Sequence, residues 1–202
     1  DPWSRNCSMN PMLSVLVIDE SRSRAGDICA ALALAGYQVA AILADAASLT
    51  AEVERLQPDV ILIDTDSPNR DTLEHLAAMH RHMPRPVVMF TQAEGEEMIR
   101  DAVKAGVSAY VVDGIDPRRL KPIVEVARAQ FEDHQTLRRE LEDLSKKLND
   151  RKVVEKAKGL LMKARNLDED GAYHALRKLA MERGQPMVVV ARDVIEMAKL
   201  LL

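Results

Sequence analysis

Four side chains that could do chemistry stand at the ends of apolar runs. "VLVIDE" closes on Asp19 and Glu20, "DVILID" on Asp64, and "PVVMFT" on Thr91. Carboxylates brought together repel one another and hold a hard cation such as Mg²⁺. Beside such a cation one carboxylate can attack a phosphoryl donor, because the metal offsets charge on the transferring group. A hydroxyl at Thr91 could then hydrogen-bond to the new phosphate. Each residue alone is only a polar group where a strand meets solvent; four at matching strand ends point to a site.

Such a site needs elements that deliver all four to one edge. "LSVLVID" (13–19), "QVAAIL", "DVILID", "PVVMFT" and "AYVV" read as strands, apolar on both faces. Between them "GDICAALALAGY", "DAASLTAEVERLQP", "DTLEHLAAMHRHMP" and "EGEEMIRDAVKAGV" have helical spacing, punctuated by Gly36, Pro58 and Gly106. This alternation predicts an α/β fold, a five-stranded parallel, doubly wound sheet with helices on both sides. In such sheets, sites collect at the carboxyl ends of the strands.

With 202 residues there is room for a core domain and a small appendage. The aromatic content is only 3% against 47% apolar residues, so the core must be built mostly from aliphatic side chains. Two cysteines, Cys7 and Cys29, form no disulfide framework and suit a reducing cytoplasm. No apolar run reaches the ~20 residues of a membrane span, so no membrane partner is expected. "DPWSRNCSMNPM" has neither the charge nor the apolar stretch of a signal peptide. Residues 1–11 read as an expression remnant or a disordered start, with Met9 or Met12 as the first native residue.

Downstream of the α/β domain (12–128), "IDPRRLKPIVEVARAQ" starts a helix with Asp116 as N-cap and Pro117 at its first position. Pro122 predicts either a separate 3₁₀ first turn or a bend. Leu137, Leu141, Leu144 and Leu148 are then spaced 4, 3, 4, a heptad seam in a helical linker over 129–150. The seam predicts a coiled-coil stalk joining two copies; an amphipathic helix packed on its own chain is the alternative. Residues 151–202 read as a small all-α domain of three short helices, "RKVVEKAKGLLMKAR", "EDGAYHALRKLAMER" and "PMVVVARDVIEMAKLLL". Asp168 and Gly184 cap the second of these. Charge divides the same way. Residues 12–130 hold 12 Lys+Arg against 18 Asp+Glu, whereas 151–202 hold 11 against 7. An acidic front and a basic tail suggest one part that senses and another that touches a polyanion; a tail of merely solvated helices fits the charge as well.

Residues 12–130 resemble the receiver domain of two-component response regulators. "VLVIDE" is similar to its acidic pair, "DVILIDTDSPNRD" to the stretch around its phospho-acceptor with Pro68 in the usual place, "VVMFT" to its switch hydroxyl, and "GVSAYVV" to its strand-five aromatic. The resemblance implies Asp64 as phospho-acceptor, Asp19, Glu20 and Asp64 as ligands of Mg²⁺, and Thr91 with Tyr110 as the switch pair. One position departs: where receivers carry a Lys after the last strand, this chain has Asp113 followed by Gly114. An Asp there adds negative charge and disfavours a bound phosphoryl dianion. Regulation mainly by a protein partner is therefore expected. "DTD" after an apolar strand also resembles the nucleophile–acid pair of haloacid-dehalogenase-type phosphatases. The Lys and late acidic pair of those enzymes are missing, Pro68 takes the place of a small or β-branched residue, and Asp19-Glu20 would have no role. The expectation is a regulator and not an enzyme.

Residues 151–202 resemble the ANTAR domain, the RNA-binding module of antitermination regulators, through "AKGLLM" (157–162), "AYHALRKLAM" (172–181) and "VVVARDVI" (188–195). Together with the missing receiver Lys, the chain resembles the nitrate/nitrite-assimilation antiterminators. That implies leader stem-loops as RNA partner, a homodimer, and a nitrate-sensing inhibitory protein partner. Expected RNA contacts are Lys158, Arg177 and Lys178, with Gly159 letting another backbone approach closely. Tyr173, Met162 and Met181 read as packing, and Lys152, Lys163 and Arg183 as solvated. Two other output classes remain: DNA binding, disfavoured because no helix is rich in Arg, Asn and Gln, and a pure protein-interaction adaptor.

Overall fold

The computed structural model describes residues 12–20, 25–112 and 114–201. The expected start over 1–11 and Asp113 lie outside the described residues. Strands β1 (Ser14–Asp19), β2 (Gln38–Leu43), β3 (Val60–Thr65), β4 (Val87–Thr91) and β5 (Ala109–Val112) alternate with helices α1 (Ala25–Leu34), α2 (Leu49–Leu56), α3 (Arg70–His82) and α4 (Glu96–Lys104). All four strand pairings are parallel, in the order β2-β1-β3-β4-β5. The chain winds outward from β1 in both directions, so the carboxyl ends of β1 and β3 flank the crevice that this topology opens.

Alternate residues of each central strand enter opposite cores, the period-two signature of a strand. Leu16, Ile18, Ile61, Ile63 and Met89 join residues of α2, α3 and α4, including Val53, Leu76 and Ala102. Val15, Val17, Leu62, Val88 and Phe90 join Ile28 and Leu32 of α1 and Leu120, Val124 and Ala127 of the helix after β5. All residues of β3 and β4 are buried, which explains why these strands read as unbroken apolar runs.

Helix α5 spans Pro117–Arg165, 49 residues. Its start is as expected: the Arg118 N–H donates to Asp116 Oδ1 at 2.9 Å. It is α-helical from Pro117 through Pro122, so the separate 3₁₀ turn does not form. The expected helix "RKVVEKAKGLLMKAR" is not separate either but forms the end of α5. Gly159 alone costs about 1 kcal/mol relative to Ala, too little to stop a helix otherwise rich in good formers. The expected boundaries after 128 and 150 both fall inside α5. Asn166, with φ of 50°, follows its last residue.

The described residues form two compact units divided between His134 and Gln135. In the second, α6 (Glu169–Arg183) and α7 (Met187–Leu201) pack with the end of α5. The Gly171 N–H donates to the Asp168 cap at 2.8 Å, and Gly184 ends α6 in the left-handed region with φ of 60°. The core holds Ala157, Leu176, Ala180, Val190, Ala191 and Ile195. Arg183 is exposed, as expected, and in addition pairs with Asp193 of α7 at 3.0 Å, while Arg192 pairs with Asp150 of α5 at 3.2 Å. Among the described residues no helix is long and apolar enough to cross a membrane.

Candidate functional site

The strand register brings the acidic side chains to the switch point. Asp19 and Asp64 are direct partners across the β1–β3 ladder, and Thr65 and Thr91 across β3–β4. Asp19 is 2% exposed and Asp64 1%. Two carboxylates held out of water on neighbouring strands repel each other and call for cationic charge. The Glu20 N–H donates to the Asp64 carbonyl at 3.1 Å, which continues the ladder one residue past β1. The Glu20 carboxylate itself accepts from the Thr72 hydroxyl in the first turn of α3. That turn is capped by Asn69, whose side chain accepts from the Thr72 N–H at 2.8 Å. A cleft of about 460 Å³ runs beside this edge, lined by Glu20, Asp45, Thr65, Asp66, Ser67 and Asn69 among others.

Thr91 and Tyr110 are joined through the loops between the strands and the next helices. The Thr91 hydroxyl donates to the Asp66 carbonyl at 3.1 Å and accepts from the Ala93 N–H at 3.1 Å. Tyr110 donates its hydroxyl to the Ala93 carbonyl at 3.0 Å. Burial pushes the Tyr110 phenol up, while the Thr91 hydroxyl acts in the opposite sense. Any ligand that drew the Thr91 hydroxyl away from Asp66 would disturb Ala93 and, through it, Tyr110.

The structure brings Asp19 and Asp64 together but directs the Glu20 carboxylate to Thr72. Among the described residues no group of three or more His, Cys, Asp or Glu side chains is arranged to hold a metal ion. The chemistry of the donor set still fits a hard cation, since Asp19 and Asp64 offer oxygens from a buried, like-charged pair.

In the second unit the expected contact residues separate. Lys158 is only 7% exposed, with its Nζ 2.8 Å from Glu169 Oε1 and 2.9 Å from Glu155 Oε1. These hydrogen bonds raise the Lys158 ammonium above the usual lysine range and lower the Glu169 carboxyl. Its charge is thus neutralised within the fold, tying α5 to α6. Arg177 and Lys178 are exposed neighbours on α6, about 100° apart around the axis. Tyr173 is 39% exposed and set edge-to-face on His174, not in the core; the core positions of α6 are Ala172, Leu176 and Ala180. Met181, at 74% exposed, is not packing either. A Cβ on Gly159 would meet nothing within 4 Å, so no backbone approaches there. Leu137, Leu141, Leu144 and Leu148 are 57%, 67%, 56% and 62% exposed, an uncovered apolar stripe.

Sequence reasoning missed a groove of about 800 Å³ in the second unit, where Lys163, Arg165 and Lys178 line an apolar trough. Lys163 and Arg165 flank an apolar stripe of α5, a weak signal until α6 and α7 supply the other walls.

Two family models match the chain: "Response regulator receiver domain" over residues 15–125 and "ANTAR domain" over residues 142–202. The chain is similar to Transcriptional regulatory protein PdtaR of Mycobacterium tuberculosis, at 29% identity over 182 residues, covering 90% of this chain and 89% of that protein. It is also similar to a Nitrate regulatory protein of Klebsiella oxytoca, 40% identical over 80 residues, which cover 40% of this chain and 20% of that protein. Among solved structures, a response regulator receiver domain protein from Methanospirillum hungatei matches with a TM-score of 0.53 at 22% identity, covering 61% of this chain and 98% of that one. That likeness shows the fold.

Proposed function

The chain belongs to the response regulator receiver family, with an ANTAR domain after the receiver, and on that premise we propose that it is a cytoplasmic antitermination regulator acting on leader RNA. The match of the ANTAR model to residues 142–202, where the chain turns basic, carries this reading. Cationic side chains supply affinity for phosphates through counterion release, and unpaired loop bases supply specificity. Arg177 and Lys178 are the contacts we assign. Lys158 acts by holding α5 against α6. Two copies joined through Leu137, Leu141, Leu144 and Leu148 would hold two stem-loops at once, raising affinity through effective concentration. The hairpins held in this way exclude a terminator, and polymerase reads through. The likeness to a Nitrate regulatory protein supports nitrate or nitrite assimilation genes as targets.

For the receiver, Asp64 is the acceptor carboxylate, and Asp19 and Asp64 would hold Mg²⁺, with Glu20 joining if it leaves Thr72. When bound, the ion offsets charge on a transferring phosphoryl group. An Asp stands at position 113, where the receiver resemblance implies a Lys that would offset phosphate charge, so the main input we assign is a nitrate-sensing protein partner. Incubation with a small-molecule phosphodonor and Mg²⁺ should change neither dimerisation nor RNA affinity; a clear gain in either would overturn the partner reading.

Gel shift with a two-loop leader RNA and a matched duplex DNA, across a range of salt, tests the output. Retardation of the RNA alone is expected. Retardation of the duplex instead would make the chain a DNA-binding regulator, and retardation of neither would make it a protein adaptor.

A further inference from the structure

We propose that the groove between α5, α6 and α7 receives a nucleobase splayed out of a single-stranded RNA loop, with the neighbouring phosphates on Lys163, Arg165 and Lys178. The inference rests on the RNA-binding reading and gives that reading a subsite. Its volume, about 800 Å³, is within the range of pockets that enclose small organic ligands. The trough is formed by aliphatic side chains, among them Leu161, Leu176, Val194 and Met197. An unstacked base needs such a surface, because its faces are apolar while its sugar and phosphates are not.

The rim selects among possible occupants. Lys163, Arg165 and Lys178 stand there against one carboxylate, Glu182, which lies 4.0 Å from Lys178 in an exposed pair of little strength. A second copy offering the same groove would set like charges against each other, so self-docking is disfavoured. A polyanion bearing apolar rings meets both the floor and the rim. On the Lys158 side of the unit the balance is reversed, since Glu155 and Glu169 surround the one ammonium. Of the two basic neighbours on α6, Lys178 lines the groove, whereas Arg177 follows Glu169 and Tyr173 at four-residue intervals along another stripe. The loop base is therefore assigned to the Lys178 side, and Arg177 contacts backbone outside the pocket.

Fluorescence anisotropy with the two-loop leader RNA tests this in the whole 202-residue chain. Each loop nucleotide is replaced in turn by an abasic residue. Each RNA is then measured against the wild type and against Ala164→Leu and Ala198→Leu, which narrow the groove. At one or more positions the abasic change should weaken wild-type binding by roughly 5- to 150-fold, the range for loss of one stacked base. The same change should have less than about a threefold effect in folded variants, which already bind the intact RNA correspondingly weakly. An abasic penalty of equal size in wild type and variants would overturn the groove and leave RNA binding standing. So would variants that bind intact RNA normally but lose self-association or a protein partner. No RNA binding by the wild type would overturn both readings. Methyl NMR of the wild type needs no variant: Met197 and Leu161 signals must shift on adding RNA, and unshifted signals refute the proposal.

Discussion

The two units keep their functional side chains in opposite places. In the receiver, Asp19, Asp64 and Thr91 are buried at strand ends, fixed by the same ladder that makes the core. In the ANTAR unit the candidate contacts Arg177, Lys178, Lys163 and Arg165 are on the surface, and the one buried cation, Lys158, works within the fold. A site set by a sheet is rigid and intolerant of change. A site spread over helix faces can be altered one residue at a time.

The largest test of that contrast compares buried and exposed leucines. Leu62→Ala, at a position with 0% exposure in β3, should cost about 2–5 kcal/mol in chemical unfolding. Leu144→Ala, at 56% exposure, should change monomer stability by less than about 0.5 kcal/mol yet weaken self-association in sedimentation. Equal destabilisation by the two would mean that the stripe is covered by its own chain.

Mg²⁺ comes next. At a hundredfold excess over its Kd the ion should stabilise the wild-type receiver by about 2.7 kcal/mol. In Asp64→Asn the gain should be much smaller, because one ligand loses its charge. A thermal shift with and without a chelator reads both; an unchanged gain in the variant would remove Asp64 from the cation site.

On the ANTAR side, Arg177→Ala should lower the slope of log affinity against log salt by about 0.7, the contribution of one single-strand phosphate contact. Lys158→Ala should leave that slope unchanged and lower the melting temperature, because Glu155 and Glu169 lose their common partner. A slope change in Lys158→Ala with intact melting would restore it as a contact. The smallest effect belongs to Gly159→Ala, which should raise stability by about 0.5–1 kcal/mol, since the new methyl meets open space in a helix interior.

The receiver was the more legible half. Strands buried on both faces leave unbroken apolar runs, and parallel topology makes each run end at the same edge, so Asp19, Asp64 and Thr91 could be grouped before any coordinates. Glu20 was not legible in the same way: its carboxylate is bound by Thr72, fifty-two residues later in the chain, and no local spacing encodes that bond. In the tail, helical spacing sets Tyr173 beside Ala172, Leu176 and Ala180, the three that are buried. Spacing alone could not separate Tyr173, one residue round the helix, from that core, because an α-helix turns only about 100° per residue. Lys158 misled for a related reason. A lysine on a basic segment reads as a surface charge until the fold brings a carboxylate eleven residues away against it.

The Thr91 and Tyr110 hydroxyls both donate to backbone carbonyls, those of Asp66 and Ala93. Every residue type carries a carbonyl, so in a mutational library the latch is vulnerable at one end only. A change of side chain at position 66 or 93 keeps these two acceptors, provided the loop path is kept. Changes at 91 and 110 cannot be compensated by their partners. Selection for an intact latch should therefore leave an asymmetric record: depleted variation at the two hydroxyl residues, and no covariation between them and the residues whose carbonyls they use.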